Sequence, residues 1–154
     1  MSPFMAAQRT VKSSTRQIVI TTSPMLWLLR SAIVMIYPRT RELPGIEDCA
    51  LDEHLERYRR ETPWLVWLGT MVGALLFHLT PIITVYVPLP AFLLSAKLKD
   101  RHAMGIMTTR LYLVRQAVFL VKPCAGLCWG VDPEVRKRFA LPPLPKDPGT
   151  WRIT

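Results

Sequence analysis

From Pro63 to Ala96 the chain contains no Asp, Glu, Lys or Arg, over 34 residues reading "PWLVWLGTMVGALLFHLTPIITVYVPLPAFLLSA". An apolar run of that length is the signature of a membrane-crossing helix, which needs about 20 such residues. Pro81, Pro88 and Pro90 lie inside it, and proline removes a backbone donor and clashes with the preceding turn. As one straight helix the run would measure ~51 Å at ~1.5 Å per residue, far more than the ~30 Å hydrocarbon core. The arrangement expected is therefore one tilted crossing kinked at Pro81 and ended by Pro88-Leu-Pro90. The alternative is a helical hairpin turning near Thr80-Pro81, whose proline-bearing return arm would leave backbone groups unpaired in lipid unless protein covers it. A run buried in the core of a globular domain is the third arrangement. Flanking charge does not choose a topology: residues 38–62 hold five basic residues and residues 97–122 hold six.

The ends of the run have their own chemistry. Trp64 and Trp67 stand at its start, where tryptophan suits the headgroup level. Gly69 and Gly73, in "GTMVG", lie four apart and form a small face that admits a close helix, expected to be a partner's. His78 is the only titratable side chain in the run. An ionisable group at membrane depth is a functional candidate by default, so His78 is the one residue considered for haem or quinone. Haem held within a bundle takes axial ligands that face one cavity. His54 lies in a charged segment and His102 in the polar stretch "KLKDRHAMG", so neither is an obvious second ligand. A neutral His78, hydrogen-bonded to backbone or to a neighbouring subunit near Pro81, is the preferred reading.

Around this block the chain divides into five further segments. Residues 1–17 form a basic, acid-free start that resembles a transit peptide in composition; cleavage as a signal peptide is not expected, since Arg30 interrupts the apolar region behind it. Residues 18–37 form an apolar helix that proline at its first turn can start and Pro38 stops. From Met25 to Tyr37 it would be about 20 Å long, too short to cross. With Arg30 at its middle it reads as interfacial, and a true span including Ile18–Ile20 is the alternative. Residues 48–62 form a charged surface helix with Asp48 as N-cap, acids early and arginines late, as the helix dipole favours. Its Glu53–Arg57 and Glu56–Arg60 spacings suit i,i+4 pairing. Residues 103–121 form an amphipathic helix whose Arg110 and Arg115 are about 140° apart on the helical wheel, able to snorkel from an interface. Residues 122–154 form a Pro-rich tail with a short helix opening at Asp132-Pro133-Glu134. The remainder is extended, and Phe139, Leu141, Leu144 and Trp151 serve as apolar anchors for a docking strap.

The chain has a net charge of +9, a pI near 10.0 and a mean hydropathy of +0.20. Its bases flank apolar segments, as at Lys97, Lys99 and Arg101, which points to anionic lipid rather than nucleic acid. The three cysteines, Cys49, Cys124 and Cys128, make no disulfide framework. The C-x3-C spacing of the last two lacks both the usual zinc spacing and a second ligand pair. No nucleophile elbow, zinc-protease, P-loop or dinucleotide motif occurs.

These features define an all-α membrane protein with no catalytic set, no metal and no small-molecule substrate. The function they imply is that of an accessory or anchor subunit in a larger membrane protein complex, in contact with lipid and requiring no cofactor. An electron-transfer subunit using His78 is the alternative.

Overall fold

The computed structural model describes residues 23–145. All regular structure there is helical: α1 (Pro24–Ile36), a 3-10 turn (Ile46–Asp48), α2 (Leu51–Glu61), α3 (Trp64–Leu79), α4 (Pro81–Thr84), a second 3-10 turn (Ala91–Leu93), α5 (Ala96–Thr108), α6 (Tyr112–Phe119), α7 (Val121–Val131) and α8 (Pro133–Arg138). α3 packs chiefly on α1 and α6, with α5 and α7 completing the bundle. Phe77, Leu29, Ile33, Ile46, Ile106, Val118 and Val121 are fully buried at its centre.

The long apolar run is not one kinked helix. α3 ends at Leu79, Pro81 starts the single turn α4, and the chain then leaves helical geometry at Val85 and Tyr86, the latter with φ of 58°. The physical reason is the one proline imposes: Pro81 cannot donate to the turn before it but is well suited to the first position of a new one. The 3-10 turn at Ala91–Leu93 lies back against α3 and α1, with Ala91 and Leu94 buried. Protein thus covers the return at Ala91 and Leu94, while Tyr86, Pro88, Leu89 and Leu93 stay exposed. Among the described residues no single helix is long and apolar enough to cross a membrane.

The helix expected at 103–121 is two helices. α5 begins at Ala96, and the sequence "KLKDRHAMG" is helical rather than a break. Leu98, His102 and Ile106 recur every fourth residue on the side facing the core, which the surrounding charges mask. A break at Thr109–Leu111 then bends the chain by 113° into the stretch holding α6 and α7.

α1 and α2 lie close to their expected bounds. Asp48, however, belongs to the first 3-10 turn, where its carboxylate pairs with Arg39 and accepts the Gly45 N–H, and Ala50 precedes α2. The Glu53–Arg57 and Glu56–Arg60 ion pairs do not form. Among the described residues the ion pairs are Arg30–Asp52 and Arg39–Asp48. α8 starts as its sequence implies, with the Asp132 carboxylate accepting the Glu134 and Val135 N–H groups at 2.9 and 3.2 Å.

Candidate functional site

The bundle's core is filled from within, yet much apolar side chain remains outside it. α3 is apolar on every side. Thr70, Met71, Gly73, Ala74, Phe77 and His78 face inward, and Leu65, Leu68, Val72, Leu75 and Leu79 form the opposite stripe, each 43–63% exposed. Ile82, Ile83, Tyr86, Leu89 and Leu93 extend the exposed apolar residues beyond Pro81. A groove of about 250 Å³ between α1 and α3 has an all-apolar lining that includes Met25, Leu68 and Val72. A helix apolar all round is ordinarily covered on every side, by protein or by lipid. The run is evident in the sequence but its outward face is not, because with no charged residue the only marks of a side are the few small and polar residues, Thr70, Gly73, Ala74 and His78, that turn inward.

The two glycines of the small face are occupied inside the chain. A Cβ at Gly73 would fall 2.1 Å from the Ala117 carbonyl oxygen, and one at Gly69 would fall 2.9 Å from Leu120 Cδ1. The close helix is therefore α6 of the same molecule. Pro81 is likewise buried within the bundle. Trp64 is exposed, and Trp67 is half-buried with its ring 6.2 Å from that of Tyr58. Arg30 reaches Asp52 at 2.9 Å, linking α1 to α2.

His78 is 1% exposed. Its Nε2 lies 3.0 Å from the Leu28 carbonyl and 2.9 Å from the Ser31 hydroxyl, both on α1. A carbonyl can only accept, so Nε2 carries the proton and Nδ1 is left as a buried lone pair without a partner among the described residues. The ring stands edge-on to Phe77 and Phe92 at 5.7 and 5.5 Å. His102, which the sequence places in a polar stretch, is buried beside it, with its ring 4.6 Å from Phe77. Nε2 of His102 donates to the Phe77 carbonyl at 2.8 Å, and Nδ1 accepts from Thr84. Both nitrogens of His102 and one of His78 are thus spent on joining elements of the bundle. The two rings do not present a pair of free nitrogens to one cavity, as two axial ligands must.

A second cluster lies between α2 and α7. Cys49, His54, Cys128 and Asp132 border a cavity of about 170 Å³. Burial, and after it the negative charge of Asp132, push the Cys49 thiol up to about 12. That is the reverse of what a nucleophilic thiol requires. His54 donates from Nε2 to the Cys124 carbonyl at 3.0 Å, and burial lowers its pKa. Among the described residues no three His, Cys, Asp or Glu side chains converge as a metal site requires.

The remaining cations and anchors are distributed over the surface. Lys97, Arg101 and Arg110 are exposed, and Lys99 and Arg115 half-buried. Phe139 stacks edge-on to Trp129 at 5.8 Å, and Leu144 is exposed. Trp151 and the end of the Pro-rich tail lie outside the described residues, as do residues 1–17 and the Ile18–Ile20 extension considered for a true span. In comparisons with known proteins, no family model, characterised protein or solved structure matches the chain.

Proposed function

We propose that this protein is a non-catalytic accessory subunit that anchors a larger membrane protein complex. In this reading the outer stripe of α3 and the apolar residues beyond Pro81 are seated against acyl chains and partner helices. The observation that carries it is the unpartnered stripe Leu65, Leu68, Val72, Leu75 and Leu79, on a bundle whose core is already complete without it. Exposed apolar patches of this extent mark protein or membrane contacts in ordinary proteins. Charge distribution favours the same reading. Between Pro63 and Val131 there is one acid, Asp100, and six bases, so the apolar surface has a basic surround, as segments at an anionic leaflet do.

The test is alkaline carbonate extraction of native membranes, followed by affinity purification in mild detergent. The wild-type chain stays with the membrane and brings partner subunits with it. A Leu68→Lys, Leu75→Lys double variant places two charges on the outer stripe, each costing roughly 2.5–3.5 kcal/mol at membrane depth. It is released to the supernatant while keeping its helical circular dichroism. Release of the wild-type chain, or its purification as a stable monomer without partners, sinks the proposal.

A further inference from the structure

The corner between α5 and α6 has a shape and charge that the bundle itself does not use. The chain bends there by 113°, and three consecutive apolar residues, Leu111, Tyr112 and Leu113, stand outward at 46, 61 and 80% exposure. Burying none of the three in the bundle is costly in water, because each leaves apolar area unpaired. Arg110 is exposed beside them, and the Arg115 guanidinium lies 5.8 Å from the Tyr112 ring centroid, a cation–π distance that holds it at the corner. Neither arginine has a carboxylate partner among the described residues. From Arg101 to Val131 the sequence has no acid at all.

We propose that this corner is a recognition element for anionic phospholipid, with Leu111, Tyr112 and Leu113 entering the acyl boundary and Arg110 and Arg115 engaging headgroup phosphates. A convex apolar tip with cations at its base matches a layered partner, apolar within and anionic at its surface. The complementarity of charge selects anionic over zwitterionic lipid. The proposal deepens the anchoring role and rests on it, naming the lipid that the anchored protein prefers.

Full-length protein diluted from mild detergent into vesicles of phosphatidylcholine, with or without phosphatidylserine, is separated by flotation. Each uncompensated arginine near an anionic surface is worth roughly fivefold in partitioning, so phosphatidylserine raises wild-type binding by a factor on the order of 30 at low salt. Arg110→Gln with Arg115→Gln removes that preference, and Arg110→Lys with Arg115→Lys retains most of it. Arg59→Gln with Arg60→Gln, an equal loss of charge on α2, leaves it unchanged. Tyr112→Ser with Leu113→Ser lowers binding to both kinds of vesicle. The proposal is overturned if wild type shows no preference for phosphatidylserine or if the α2 variant loses as much as the corner variant. It is also overturned if a single-stranded RNA, and not the vesicles, gives the arginine-dependent binding. Failure of the anchoring role reads out separately, as neutral-vesicle binding that Leu68→Lys with Leu75→Lys does not reduce.

Discussion

Gly73 is the position where the packing of α3 on α6 can be tested most sharply. A methyl group added there would sit 2.1 Å from the carbonyl oxygen of Ala117 and 2.9 Å from its carbonyl carbon. Ordinary C···O approaches are about 3.3–3.6 Å, so the two helices must move apart by roughly 1 Å. The obstacle is backbone inside a helix and cannot rotate away. Overpacking of this kind costs about 1–3 kcal/mol, and an overlap this deep belongs at the upper end. Exchanging a mid-helix glycine for alanine returns about 0.8–1 kcal/mol of helix propensity. The net for Gly73→Ala is a loss of about 2 kcal/mol, which lowers Tm by about 4–8 °C in a chain of this size. Gly69→Ala is the control one turn away: its added methyl meets only Leu120 Cδ1, at 2.9 Å. That is the end of a mobile side chain, so the propensity gain offsets the crowding and Tm stays within about 2 °C of wild type. Thermal scans of the three proteins in one detergent measure the difference. A Gly73→Ala protein that melts at or above the wild-type temperature refutes the α3–α6 contact as described.

Two further outcomes follow from local chemistry. Burial lowers the pKa of His54, so the unfolded chain takes up a proton that the folded one resists. Stability is therefore full above the unfolded value of about 6.5 and declines as pH falls below it; in urea melts across that window, His54→Gln should show a shallower decline than wild type. Asp132→Ala removes the acceptor for two N–H groups at the start of α8. A loss of about 1 kcal/mol at that cap corresponds to roughly fivefold faster hydrogen exchange in Val135 and Arg136, with α3 amides unchanged.

Single segments were readable in the chain where a local rule acts on few residues. Pro24 and Pro38 bracket α1, Asp132-Pro133 opens α8, and the charge order of residues 48–62 matches α2 to within a few residues. The polar stretch around His102 misled because charge content was read in place of spacing. Leu98, His102 and Ile106 keep a four-residue period through it, and that period is what the bundle uses. For the candidate surface, the sequence identified the run and its basic flanks. The small and polar residues Gly69, Gly73 and Thr70, Ala74, His78, each set four apart, mark the inner side of α3, and the Leu and Val residues opposite them face out, a pattern that the uniform apolarity of the run masks.

The destination of the two glycines was not readable either. "GTMVG" permits a close helix from any source, and only the fold brings Ala117, 44 residues beyond Gly73, to that spot. His78 illustrates the same division. Its isolation within an apolar run is a property of the sequence, and so is the need for a polar partner when buried. That the partners are the Leu28 carbonyl and the Ser31 hydroxyl depends on how α1 crosses α3. Composition and order along the chain determined that this protein is helical, basic and charge-free over one long block, because helix propensity, proline stops and charge exclusion act between near neighbours. Tertiary structure decided that the block breaks at Pro81, doubles back and leaves one stripe uncovered. Those outcomes depend on which distant backbones can approach within contact distance, and no local pattern encodes that.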